Sequence, residues 1–271
     1  MPRISIGDCK IYYERQGAGF PLLLITGLGG NASHWREQVP VFAKSFDTVV
    51  FDHRGIGRSD HDRIDYTVDK MAADAVALLD ALGIDRAHVV GHSTGGAIAQ
   101  ILALEQPKRL AGVVIAASWT KADAYFRRLF ALRRETLERL GPASYMTASS
   151  LLLYPSFYIA QNDETLKRIE AQMLAAFSPA EITLSRIDAI LKFDRTAELG
   201  RISTPTLVIG TRDDHITPAY FSEELARAIP GALLAMLPQG GHFSNIVFPR
   251  EFNAAVTEFL TAQTPAARPR N

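Results

Sequence analysis

One cysteine, Cys9, in 271 residues leaves no partner for an internal disulfide, so a reducing compartment suits the chain. Its place in an early strand pattern makes Cys9 a small buried apolar residue rather than a nucleophile. Net charge is missing too. The 29 basic residues balance 29 acidic ones, which removes the field that would draw the chain to nucleic acid or an anionic membrane. No apolar run is long enough to cross a bilayer. Met1, Pro2 and Arg3 lead into strand-like alternation, without the apolar stretch and cleavage site of a secretion signal. No His, Asp or Glu cluster has metal-ligand spacing, and the glycine-rich turn at 27–30 lacks the Lys-Ser/Thr of a phosphate loop. Repeats and low-complexity segments are absent. The expectation is a soluble, cytoplasmic monomer or homodimer acting on a small molecule, with no metal, cofactor, nucleic acid or membrane.

What is present is a core. With 47% hydrophobic and 21% charged residues, the chain suits one large α/β domain or a core with an insertion. A hairpin is expected over 4–6 and 10–13, then buried strands at 22–26 and 48–51 with a helix at 35–44 between them. Thr67 caps a helix whose apolar stripe runs Val68, Met71, Ala72, Ala75, Val76, Leu79 and Leu82 until Gly83 stops it. A strand at 87–90, a helix at 96–104 and a strand at 110–117 follow. From 121 to 191 there are only helix-like segments rich in Arg, Leu and aromatics. Alternation resumes with a strand at 206–210, a helix at 221–228, a strand at 233–236 and a helix at 252–260. Strands alternating with helices favour a mostly parallel, doubly wound sheet. The expected organisation is therefore a sheet core of 1–120 and 197–271, a helical lid of 121–196, and a frayed tail over 264–271.

The segment Val89-Val90-Gly91-His92-Ser93-Thr94-Gly95-Gly96 carries the chemistry. It reads as a strand, a sharp turn and a helix, with glycines flanking Ser93 where a side chain would clash. A serine hydroxyl needs a base to take its proton and return it to the leaving group. His242 follows Gly240-Gly241 just after the last strand, on a loop that could reach the sheet end. Imidazole in turn needs a carboxylate, and Asp213 and Asp214 directly follow the strand at 206–210. Ends of parallel strands converge, and the order Ser, Asp, His suits this arrangement. The developing oxyanion needs two fixed donors, expected from the backbone N–H groups of Thr94 and Leu28. His92 reads as packing beneath the turn, and Asp52 with Arg54 as a structural turn network.

Taken together, these motifs make the chain resemble an α/β-hydrolase over almost its whole length. They are Thr26-Gly27-Leu28-Gly29-Gly30, the run from Asp52 to Ser59, Gly91-His92-Ser93-Thr94-Gly95-Gly96, Gly210-Thr211-Arg212-Asp213-Asp214 and Gly240-Gly241-His242. The resemblance implies that the acid lies four residues before a proline, which selects Asp214, ahead of Pro218. Many relatives carry His-Gly where this chain has Thr26-Gly27; the backbone donor survives that departure. Within the superfamily the chain is similar to 3-oxoadipate enol-lactone hydrolases and to aminoacrylate or carbamate hydrolases of pyrimidine degradation. The segment from Gly27 to Trp35, together with Leu152-Leu153-Tyr154-Pro155-Ser156, leans toward the second group.

The expected activity is cofactor-free hydrolysis of a small ester, lactone, carbamate or amide. Ser93 attacks, His242 shuttles the proton and Asp214 orients it. Two alternatives keep the same fold: cleavage of a carbon–carbon bond in a ring-fission product, and a non-catalytic small-molecule receptor. An aspartate in place of Ser93 would have marked a dehalogenase or epoxide hydrolase. Candidate substrate contacts are Trp119 at the lid entrance and Arg127, Tyr154 and Phe157 within it. A buried lid arginine would suit a carboxylate-bearing substrate.

Overall fold

The computed structural model describes residues 2–265. Its strands are β1 (Arg3–Ser5), β2 (Lys10–Gln16), β3 (Phe20–Ile25), β4 (Phe46–Phe51), β5 (Ala87–His92), β6 (Leu110–Ala116), β7 (Thr206–Thr211) and β8 (Leu233–Leu237). They form one eight-stranded sheet in the order β1-β2-β4-β3-β5-β6-β7-β8. The hairpin strands join antiparallel, and β4, β3, β5, β6, β7 and β8 run parallel. Strand order reverses around β3, which has β4 on one side and β5 on the other. Such a switch opens a crevice at the carboxyl ends of the strands.

The helices are α1 (Val39–Phe42), α2 (Val68–Ala81), α3 (Thr94–Glu105), α4 (Ala124–Leu153), α5 (Ser156–Ala175), α6 (Ala180–Lys192), α7 (Ala219–Ala228), α8 (Ser244–Val247) and α9 (Pro249–Gln263). Alternation along the strands sends side chains to opposite faces. Leu23, Ile25, Val49, Val89 and Val113 pack with α2 and α3, whereas Leu22, Leu24, Val50, Val90 and Val114 pack with α1 and α9. The sheet is thus buried on both faces, which is why its strands read as unbroken apolar runs. Thr67 caps α2 as expected, its hydroxyl accepting from Lys70 N at 3.0 Å. Cys9 is buried, and burial pushes its thiol up to about 12.

The helix expected at 35–44 is not formed as such. A 3-10 turn over Ala32–Trp35 and the four-residue α1 stand there instead. Pro40 cannot donate to a preceding turn, which forces α1 to begin beside it. Gln38, just before α1, spends its amide on Asn245 O at 2.7 Å. The helix after Ser93 begins at Thr94, two residues earlier than expected, because the turn enters it directly.

Between β6 and β7 the chain leaves the sheet as α4, α5 and α6. α4 breaks at Gly141-Pro142, where proline has no N–H for the helical ladder. The base of this insertion is pinned by a bridge between Lys121 and Asp194 and by Arg195 N donating to Thr120 O at 3.3 Å. Its far side is tied to the core by Ser178 Oγ donating to Gly55 O at 2.5 Å and Tyr66 N donating to Ser185 Oγ at 3.0 Å. No helix among the described residues is long and apolar enough to cross a membrane. The expected frayed tail lies, from residue 266 onward, outside the described residues.

Candidate active site

Ser93 sits between β5 and α3 with φ 57° and ψ −117°. A non-glycine residue there is strained, and such strain persists only where surroundings hold it. Ser93 N donates to Ala116 O at 2.8 Å, and Ser118 Oγ donates to Ser93 O at 2.9 Å. The flanking glycines are sterically required. A Cβ on Gly91 would lie 2.1 Å from Gly95 O, and one on Gly95 would lie 2.1 Å from Ile25 O. The tight turn thus follows from the absence of two side chains.

Asp214 and His242 come from the loops after β7 and β8. His242 Nδ1 lies 2.8 Å from Asp214 Oδ2, both groups being buried. The same carboxylate accepts from Ile216 N at 2.7 Å, Thr217 N at 2.9 Å and the Thr217 hydroxyl at 2.7 Å. Burial pushes the Asp214 carboxyl up, but the facing imidazole and the Thr217 hydrogen bonds outweigh it and hold it below the usual carboxylate range. With Nδ1 committed to Asp214, Nε2 is the ring nitrogen left free of that pair. No hydrogen bond joins Ser93 to His242 among the described residues, yet both line one cavity of about 40 Å³. Such contacts often close only around substrate.

The neighbouring aspartate has a different task. Asp213 accepts from Gly240 N at 3.1 Å and Gly241 N at 2.9 Å, fixing the loop that carries the imidazole. His92 supports the same loop from below, its Nε2 donating to His242 O at 2.8 Å. Burial and the nearby His242 push the His92 ring down to about 3, so it stays neutral and cannot compete as a proton carrier near neutral pH. Asp52 and Arg54 form the expected structural network. Asp52 accepts from Ala32 N at 2.7 Å and pairs with Arg58, while Arg54 meets Asp74 at 2.9 Å and Asp62 at 2.8 Å.

The glycine turn after β3 closes on itself through Thr26 Oγ1 donating to Gly30 O at 3.0 Å. Leu28 lines the cavity at Ser93, and its N–H meets no acceptor among the described residues. Thr94 is the first residue of α3, so its N–H has no partner within the helix. Among the described residues no group of three or more His, Cys, Asp or Glu could hold a metal.

The expected substrate contacts divide. Tyr154 lines a second, larger cavity of about 600 Å³ under α4 and α5. Trp119, Arg127 and Phe157 line neither cavity. Trp119 is buried in the core against Phe126 and Phe193. Arg127 is exposed on the outer face of α4, and Phe157 lies over Phe248 at a ring distance of 6.3 Å. The arginine that does face the site is Arg133, only 7% exposed and lining both cavities. Its Nη2 donates to the Tyr145 hydroxyl at 2.9 Å and to Ser149 Oγ at 3.3 Å, and none of its hydrogen bonds among the described residues goes to a carboxylate. The signal was in the sequence: Arg133 falls on the stripe of Phe126, Phe130 and Leu137, whereas Arg127 falls off it. Leu153, Phe243 and His34, which also line both cavities, had no comparable mark.

A family model for the alpha/beta hydrolase fold matches residues 21–249. The chain is 40% identical over 259 residues to RutD of Azorhizobium caulinodans, covering 96% of this chain and 98% of that one. It is 41% identical over 251 residues to RutD of Pseudomonas savastanoi pv. phaseolicola, covering 92% and 97%. Both relatives are named as provisional carbamate hydrolases. Among solved structures, the enol-lactonase of Burkholderia xenovorans LB400 superposes with a TM-score of 0.89 at 26% identity, over 96% of this chain and 100% of that one. The strained serine turn, the parallel sheet and these matches over nearly the whole length agree: the chain belongs to the α/β-hydrolase family.

Proposed function

We propose that the protein is a cofactor-free serine hydrolase that cleaves an ester, lactone or carbamate/amide of a small molecule through an acyl-enzyme. Ser93 Oγ attacks the carbonyl carbon while His242 Nε2 takes its proton, and Asp214 stabilises the resulting imidazolium. The negative oxygen is received by the N–H groups of Leu28 and Thr94, one such donor contributing about 3 kcal/mol to barrier lowering. The carbon–leaving-group bond then breaks, and His242 returns the proton to the departing atom. Water repeats the sequence in reverse roles and frees Ser93. The helical insertion of 121–196 acts as a lid on the core of 1–120 and 197–271.

The observation that carries this reading is the buried 2.8 Å contact between Asp214 and His242, on a loop that lines the same cavity as the strained Ser93 turn. Similarity to RutD proteins and to an enol-lactonase supports the range of carbonyl substrates. Arg133, buried beside that cavity and without an acid partner among the described residues, suits an anionic oxygen on the substrate. The test is stopped-flow hydrolysis of p-nitrophenyl acetate. A burst of nitrophenol equal to the enzyme concentration, absent in Ser93→Ala, is the expected result; undiminished turnover by Ser93→Ala overturns the reading.

A further inference from the structure

The two cavities that meet at the sheet rim are very unequal, about 40 Å³ around Ser93 and His242 against about 600 Å³ under α4 and α5. They share Leu28, Gly30, His34, Arg133, Leu153 and Phe243, which frame a neck between them. The outer space is about fifteen times the inner one. Carbamate itself, an amino group on a carboxylate, is no larger than a few waters and would leave the outer chamber empty. A cavity of roughly 300–1,000 Å³ is instead the size that encloses an extended organic ligand. The outer walls expose more apolar than polar area, with Met146, Leu166, Ile169, Met173 and Phe177 among the lining residues. Arg133 and His34 stand at the neck, and Arg36, Arg58, Arg168 and Glu170 add charged groups to the outer lining. Apolar area that a ligand covers contributes about 25 cal/mol per Å², so a chamber of this kind rewards an arm that fills it.

Resting on the serine-hydrolase reading above, we propose that the substrate has two unequal arms. The reacting carbonyl and a compact arm occupy the inner space, and a mainly apolar arm of about eight or more non-hydrogen atoms fills the outer chamber. The inner space excludes a second long arm. Specificity therefore depends on the asymmetry of the molecule and not on its total size. This places the substrate in a different size class from carbamate, the activity in the names of the RutD relatives.

Four unactivated esters separate the arms: methyl acetate, methyl octanoate, octyl acetate and octyl octanoate, each followed by titration of released acid. One of the two esters with a single long arm is expected to exceed methyl acetate at least 30-fold in kcat/KM, with octyl octanoate no better than methyl acetate. Met173→Trp, which adds bulk to the outer wall, is expected to lower the long-arm to short-arm ratio at least fivefold. Ile169→Trp is the second variant if the first fails to fold, with thermal melting as the check. Equal turnover of all four esters, or octyl octanoate as the best substrate, overturns the proposal while leaving the hydrolase reading standing. Hydrolysis of none of the four overturns the proposal alone, and hydrolysis that persists in Ser93→Ala overturns both.

Discussion

The rim of the sheet and the helical insertion face the same space but are built on different principles. At the rim, groups are held by backbone: Asp214 by the amides of Ile216 and Thr217, the His242 loop by Asp213, and Ser93 by Ala116. In the insertion, Arg133 and Tyr154 project from α4 and its end and are held chiefly by side chains, such as the Tyr145 hydroxyl and the stacked Tyr158 ring. Chemistry needs fixed positions, and recognition tolerates adjustment. On the proposed reading, bond cleavage belongs to the rim and substrate choice to the helices. One seam joins them: Phe243 N, beside the imidazole, donates to Leu153 O at 3.2 Å.

Substitutions at the rim give the largest expected effects. Ser93→Ala is expected to lower kcat roughly 10⁶-fold, measured by ester turnover, with little change in melting temperature because the strained turn depends on the flanking glycines. Asp214→Asn is expected to cost about 10⁴-fold by removing the charge that orients His242. Arg133→Gln tests the insertion and should lose about 10- to 100-fold in kcat/KM on carboxylate-bearing esters, mostly through KM, as expected for a charged hydrogen bond. A loss confined to kcat would move Arg133 into the chemistry and break the division between the two regions.

Stability sharpens the same comparison. Leu78→Ala, in the fully buried stripe of α2, is expected to cost about 2–5 kcal/mol in urea unfolding. Leu140→Ala, 67% exposed on α4, is expected to stay within about 0.5 kcal/mol. The core is also sensitive to pH. Burial pushes the His53 and His92 rings down to about 3 and His88 to about 4. The unfolded chain takes up protons near pH 6.5 that the folded chain refuses, so stability is complete above pH 6.5 and falls as pH drops toward 4. All seven histidines lie outside 121–196, so this sensitivity belongs to the core. His53→Gln should flatten the dependence of melting temperature on pH.

Much of the rim was readable in the sequence because turns and strand ends leave local marks. Gly91 and Gly95 flank the serine, and Gly240-Gly241 precede the histidine. Pro218 follows the acid at four residues. The sheet was readable for a related reason, since strands buried on both faces appear as unbroken apolar runs. The helix expected at 35–44 failed on a mark that was present, Pro40. The helices of the insertion were readable as helices, and the stripe of Phe126, Phe130, Arg133 and Leu137 marks the inward face of α4, off which Arg127 falls. Trp119 precedes α4 and lies outside that stripe, and its packing against Phe126 and Phe193 is a tertiary contact that no local spacing encodes. Chamber size depends on the gap between α4, α5 and the turn at 27–30, which is a property of packing alone.

The central claim is covalent participation of Ser93, and active-site labelling with a fluorophosphonate followed by peptide mass mapping tests it most directly. A single adduct on Ser93, formed in step with loss of ester hydrolysis, is the predicted outcome. An adduct elsewhere, or none while hydrolysis is lost, would contradict it.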